Sequence, residues 1–297
     1  MAEKYAEPAD SPYLVPFDGK FSVKDASTAP PKKAPDKEAC KQGLAVRVAE
    51  LAGLQDVLYA NDRRPVLLVF QAMDAAGKDS TIRAVLSGVN PAGCEVYAFK
   101  RPTENELDHD FLWRTALCLP QRGRIGVFNR SYYEEVLAVR VHPEFLQHQK
   151  LPTLPNKLGD LWEERFESIR EHEKHLARNG MVILKFWLNV SREEQRERFL
   201  KRLAEPEKHW KFESGDLRER GFWKDYMSAY EAALNATSRP WAPWYAIPAD
   251  KKAFMQMTVA DIIVRSLKKL DLRYPALEDS ELTQLAEFKK SLDNELI

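Results

Sequence analysis

Residues 65–71, Pro65-Val66-Leu67-Leu68-Val69-Phe70-Gln71, form an apolar run that passes directly into Ala72-Met73-Asp74-Ala75-Ala76-Gly77-Lys78-Asp79-Ser80-Thr81. A buried strand, a small-residue turn ending in Gly-Lys and a helix, in that order, are the setting that a phosphate-binding loop requires. Backbone N–H groups of Ala75, Ala76, Gly77 and Ser80 would face an anion, the helix dipole adds positive potential, and Lys78 supplies a mobile charge. The match to the usual Gly-x-x-x-x-Gly-Lys pattern followed by Ser or Thr is incomplete. Ala72 stands at the first Gly, and Asp79 stands where the metal-binding hydroxyl follows the Lys. An ionised carboxylate cannot donate to phosphate, so Asp79 caps the helix or helps to bind metal. Asp74 inside the loop would repel the ligand unless a cation lay between them, which points to Mg2+.

The chain of 297 residues can bury a full core, and its charged residues balance to a formal net charge of zero. No global field draws it to nucleic acid or membrane, so any polyanion site is a local patch. Neither a bilayer-spanning apolar run nor a signal peptide is evident, and three scattered cysteines lack metal-site spacing. These features lead us to expect a cytoplasmic protein with reduced thiols.

Residues 1–36 are rich in Pro, Ala, Lys and Asp, and read as an arm that lies across the surface or is partly disordered. Its aromatic residues Tyr5, Tyr13, Phe17 and Phe21 would anchor it to the body or to a neighbouring subunit. A kinase-like domain is expected over 37–275. Helical periodicity over 37–60 leads into the central strand, and further strands are expected at 94–100, 124–130, 181–188 and 244–248. Helices are expected over 104–119, 157–179 and 254–270. Strands alternating with helices predict an α/β fold: a parallel sheet covered on both faces, with ligands beyond the strand C-terminal ends. Residues 279–297 read as an amphipathic helix packing on the body or on a partner, which leaves a homo-oligomer open.

Two further segments carry chemistry. At the third strand's end, Phe128-Asn129-Arg130-Ser131-Tyr132-Tyr133-Glu134-Glu135 would share the sheet edge with the phosphate loop. Asn129 ligates a metal through its carbonyl oxygen but adds no charge, so Asp74, Asp79 or Glu134 must supply it. Arg130 would face the transferring phosphoryl group. Residues 191–222 interrupt the alternation. Their basic helix, with Arg198, Lys201 and Arg202 on one face and Lys208 and Lys211 beyond, is either a solvated face or a lid closing over phosphates. The charged stretch His172-Glu173-Lys174-His175 lacks a metal-site spacing and is expected in solvent.

Ala72-Met73-Asp74-Ala75-Ala76-Gly77-Lys78-Asp79, Phe128-Asn129-Arg130-Ser131-Tyr132-Tyr133-Glu134, Glu205-Pro206-Glu207-Lys208-His209-Trp210-Lys211 and Ala242-Pro243-Trp244-Tyr245 together resemble family 2 polyphosphate kinases. The resemblance covers about residues 37–272. It implies a P-loop kinase fold with a helical lid, and reversible Mg2+-dependent phosphoryl transfer between inorganic polyphosphate and adenine or guanine nucleotides. Position by position, it places Asp74 and Lys78 in the phosphate loop, Asn129 and Arg130 in the second phosphate motif, and Arg198, Arg202, Lys208 and Lys211 in the lid. Ala72 and Asn129 depart from the family's commoner Gly and Asp. Asn129, Glu134 and the Val139-Arg140-Val141-His142 run resemble the subgroup that accepts both nucleoside mono- and diphosphates. On physical grounds Lys100 and Arg101 can line a basic groove beside the lid. An ATP-dependent kinase of a nucleotide or small molecule is the competing enzyme reading. A nucleotide switch is disfavoured by Asp79 after Lys78 and by the lack of an Asn-Lys-x-Asp motif.

Overall fold

The structure, a computed structural model, describes residues 5–211 and 215–295 apart from the side chains at 208, 210, 211 and 216. The expectations for Lys208 and Lys211 therefore fall on side chains outside the described set. Five strands, β1 (Val66–Gln71), β2 (Cys94–Ala98), β3 (Ile125–Asn129), β4 (Val182–Asn189) and β5 (Trp244–Pro248), build one parallel sheet in the order β2-β3-β1-β4-β5. Every residue of β1, β4 and β5 is buried, as a parallel sheet with helices on both faces demands. Aromatic rings tie neighbouring strands together, with Phe70 5.1 Å from Phe186 and Phe186 5.8 Å from Tyr245 between centroids.

The helices are α1 (Lys37–Asn61), α2 (Lys78–Val85), α3 (Glu104–Leu107), α4 (Trp113–Ala116), α5 (Ala138–Val141), α6 (Leu158–Arg178), α7 (Arg192–Ala204), α8 (Gly215–Gly221), α9 (Trp223–Thr237), α10 (Lys252–Lys268) and α11 (Asp279–Glu295). Helices α1, α2 and α10 form one contacting layer, and α5, α6 and α9 another. The single helix expected over 104–119 is instead the pair α3 and α4. Thr103 and Glu106 close a capping box on α3, and Asp110 Oδ1 then accepts from Leu112 N at 2.9 Å, an Asx turn that competes with helix continuation. Among the described residues no helix is long and apolar enough to cross a membrane.

Of the two expectations for the N-terminal segment, the structure has the arm lying across the body. Val15 N donates to Trp244 O at 2.9 Å and Ala246 N to Tyr13 O at 2.8 Å, which pairs the arm with the outer edge of β5. Tyr5, Tyr13 and Phe21 pack their rings against Trp241, Phe254 and Trp187. At the other terminus α11 buries no residue; it stands off the body with Leu282, Leu285, Phe288 and Leu292 exposed.

One charged pair lies in the core. Lys185 of β4 is fully buried, and its Nζ donates to Glu173 Oε2 at 2.7 Å, Tyr133 Oη at 2.8 Å and Thr237 O at 2.9 Å. Glu173 Oε1 accepts from the hydroxyls of Tyr132 and Tyr133 at 2.9 and 2.8 Å. Glu173, expected in solvent, is thus fully buried, because Lys185 and two tyrosines supply the donors that water would otherwise provide. Burial pushes the Lys185 ammonium down to about 8 and the Glu173 carboxyl up, each opposed by its partner. Lys185→Met strands the carboxylate and should cost about 3–5 kcal/mol in chemical denaturation, with a smaller loss when Glu173→Leu is added. A Lys185→Met midpoint equal to wild type would contradict this account of the core.

Candidate active site

Parallel pairing sets Phe70 of β1 opposite Asn129 of β3, so the chain leaves both strands at the same sheet edge. After β1, residues 72–77 turn into α2 through two left-handed positions, Ala75 at φ +58° and Gly77 at φ +107°. Gly77 is required there: a Cβ would meet Met255 Cε at 3.2 Å and Ser80 Oγ at 3.3 Å in a backbone conformation that side chains disfavour. The turn sets the first N–H groups of α2, which have no intrahelical partners, toward the sheet edge.

What holds the turn in place is its carbonyl side. Gln195 Nε2, on α7, donates to Asp74 O at 2.8 Å, and Gln195 Oε1 accepts from Arg220 of α8 at 2.8 Å. Arg198 Nη1 donates to Ala75 O at 3.2 Å and Ala76 O at 2.5 Å. Its Nη2 reaches Ala249 O and Asp250 O at 2.6 and 3.3 Å, and its Nε reaches Glu194 Oε1 at 2.8 Å. All five guanidinium N–H groups are thereby engaged. Arg198, expected to donate to phosphate from a lid, here braces the loop from behind. Ser80, expected at the phosphate, turns its hydroxyl to Gly77 O at 2.9 Å.

Lys78 is 8% exposed and donates to Ala72 O at 2.8 Å, leaving two hydrogens for other acceptors. Burial and the nearby Arg130 push its ammonium down, while Asp74, Glu134 and Asp79 pull it up. Arg130 also has a positive φ of 63°, and its Nη2 contacts Asp74 Oδ1 at 3.0 Å. Glu134 and then Asp74 raise the Arg130 guanidinium pKa, against its burial. Asn129 Nδ2 donates to Asp79 Oδ1 at 2.7 Å, so Asp79 faces Asn129 and makes no cap for α2, whose N-cap Gly77 has no side chain to offer. The Gln71 amide, turned to satisfy its neighbours, donates to Glu134 Oε1 at 3.0 Å and accepts from Ser131 N and Oγ at 3.2 Å.

The structure thus brings Asp74, Lys78, Asp79, Asn129, Arg130 and Glu134 together. Lys100 and Arg101, just beyond β2, are exposed and line the same cavity as Asp74 and Arg130. Arg202 stays outside it, with its guanidinium over the Phe199 ring at 5.3 Å. Among the described residues no group of three or more His, Cys, Asp or Glu could cage a metal. The cavity holds about 930 Å3, and Asp74, Arg130, Phe99, Phe111, Glu135, Gln149 and Arg165 are among the residues that line it. Gln195 and Gln71 were not expected from sequence; both are fixed by backbone partners, which side-chain spacing does not reveal.

A strained Gly-Lys turn at the C-terminal edge of a five-stranded parallel sheet, with a strand-end arginine facing it, defines a P-loop kinase. The chain matches the polyphosphate kinase 2 (PPK2) family over residues 34–275 and belongs to that family. It is 52% identical over 256 residues to the ADP-polyphosphate phosphotransferase of Rhodopseudomonas palustris, covering 86% of this chain and 89% of the relative. It is 44% identical over 270 residues to the AMP/ADP-polyphosphate phosphotransferase of Meiothermus ruber, covering 90% and 96%. The crystal structure of polyphosphate kinase 2 from Arthrobacter aurescens TC1 superimposes with a TM-score of 0.84 at 35% identity, over 97% of this chain and 99% of that one. The P-loop kinase fold and the family resemblance expected from the motifs are both borne out.

Gly77→Ala should cost about 1–2 kcal/mol of stability, and should lower kcat/KM at least about tenfold by turning loop N–H groups off their common target. Steady-state rates and thermal melts test this, and a fully active variant would show that the turn need not be left-handed.

Proposed function

We propose that the chain is a polyphosphate-dependent nucleotide kinase that moves a terminal phosphoryl group from inorganic polyphosphate to a nucleoside mono- or diphosphate. The observation that carries the reading is the meeting of Lys78 and Arg130 with Asp74 and Glu134, three of which, Asp74, Arg130 and Glu134, line a nucleotide-sized cavity. The relatives named for AMP and ADP as acceptors support the acceptor class.

Phosphoryl transfer asks a protein for in-line positioning and charge neutralisation more than for covalent chemistry. The two unused hydrogens of Lys78 and the fork of Arg130 meet the charge that builds on the transferring group. Asp74 and Glu134, with Asn129 through its carbonyl oxygen, would hold Mg2+, which would supply charge neutralisation to the phosphates. Asp79 holds Asn129 by its amide and so orients that carbonyl. The acceptor phosphate is already ionised, so the site needs no strong general base.

Residues 191–222 serve in this reading as a lid over the polyanion, with Arg198 and Gln195 as its fixed root on the phosphate loop and Arg202 farther out along α7. Lys100 and Arg101 extend the basic lining on the β2 side. Residues 5–36 of the arm belong to the edge of β5, and residues 276–295 stand apart from the kinase domain. Nucleotide substrates and three free cysteines fit action in the cytoplasm.

Lys78→Ala should lower transfer from polyphosphate to ADP by at least about a hundredfold, on the scale of losing one transition-state donor. The melting temperature should change little, because relief of the buried ammonium's desolvation offsets the loss of its one hydrogen bond, to Ala72 O. Wild-type turnover in Lys78→Ala would remove the loop from the chemistry.

A further inference from the structure

Helix α7 holds the phosphate loop at the two peptides that lead into its left-handed residues. Asp74 O, which accepts from Gln195 Nε2 at 2.8 Å, belongs to the peptide that enters Ala75 at φ +58°. Ala76 O, which accepts from Arg198 Nη1, belongs to the peptide that enters Gly77 at φ +107°. The two positions differ in energy. Gly77 takes a positive φ without penalty, whereas the Cβ of Ala75 disfavours that region by about tenfold in population. A half-turn of the 74–75 peptide would carry Ala75 into the ordinary negative range of φ and relieve the strain. It would also reverse the Ala75 N–H, which lies opposite Asp74 O in a trans peptide. The hydrogen bond from Gln195 opposes that flip.

Gln195 is itself aimed by a second helix. It is 1% exposed, and its amide sits between Asp74 O, which can only accept, and Arg220 Nη1, which can only donate, at 2.8 Å on each side. One orientation of the amide satisfies both neighbours and the other satisfies neither. Arg220 Nη1 also donates to Arg192 O at 2.8 Å, at the start of α7. Glu219, next to Arg220 on α8, is tied to cavity-lining side chains instead: its Oε2 accepts from Tyr226 Oη at 2.7 Å and lies 2.8 Å from His142 Nε2. Two consecutive residues of α8 thus join the cavity wall to the phosphate loop.

We infer that Gln195 is a positioning residue for phosphoryl transfer. It holds the 74–75 peptide in the orientation that presents the Ala75 N–H to phosphate, and Arg220 keeps its amide turned for that task, so the loop is set while α8 is seated. The inference rests on the reading of this loop as the phosphate site. Gln195 touches no reacting atom; it acts through the fraction of molecules whose loop is set.

The test is a double-mutant cycle on kcat/KM for transfer from polyphosphate to ADP, with thermal melts, in wild type, Gln195→Met, Ala75→Gly and the double variant. Gln195→Met, close in volume and without a donor, should lose at least about tenfold. In the Ala75→Gly background, where no Cβ favours the flip, the same substitution should cost at least about fivefold less. Equal losses in the two backgrounds would make Gln195 a packing residue and overturn the inference, as would wild-type turnover in Gln195→Met. Should Gln195→Met fail to fold, Arg220→Met takes its place in the cycle, with the same rescue expected and equal losses again overturning the inference. Transfer to neither ADP nor AMP by wild type defeats the phosphate-site reading itself, a result distinct from equal losses.

Discussion

Side chains hold the backbone carbonyls of the phosphate loop, and the site depends on their being held. Ala72 O takes Lys78, Asp74 O takes Gln195, and Ala75 O and Ala76 O take Arg198. A peptide unit carries its N–H opposite its C=O, so tying the carbonyls back commits the amides to the side on which an anion sits. The left-handed geometry at Ala75 and Gly77 is the strain that accompanies this arrangement, and helix α7 is what sustains it. One helix thereby roots the segment 191–222 on the very loop it would cover.

The second half of the site is set by the sheet and by a buried charge. The register of β1 with β3 delivers Arg130 beside Asp74, and Arg130 N bonds Phe70 O at 3.0 Å. Beyond it, Tyr132 and Tyr133 are pinned by Glu173 and Lys185 in the core. A buried ion pair contributes little net stability, yet breaking it is expensive, which suits a role in fixing one conformation of the chain. Acidic and basic groups are interleaved at the mouth, with Asp74, Asp79 and Glu134 around Lys78 and Arg130.

Much of this was legible from the residues alone. The strands announce themselves as apolar runs, and Gly77-Lys78 after one of them locates the loop. Asn129-Arg130 at the end of another locates its partner, because parallel sheets place strand ends together. The break between α3 and α4 was hidden because apolar spacing continues across Asp108-His109-Asp110 while side-chain hydrogen bonds redirect the backbone. Glu173 looked like one more charge on a charged helix, since its partner Lys185 lies in a strand that otherwise reads as wholly apolar. Arg198 shares a face with Arg202, and nothing in that spacing says that its donors go to carbonyls.

The central claim is that a braced loop and a strand-end arginine transfer phosphoryl groups between polyphosphate and a nucleotide. The most direct measurement is to incubate the purified protein with Mg2+, polyphosphate and ADP or AMP, with no ATP present, and to resolve the nucleotides by chromatography. The account predicts ATP from ADP, and ADP from AMP if both acceptor classes are used. Unchanged ADP and AMP, with ATP consumed when a different acceptor is supplied, would contradict polyphosphate as the donor.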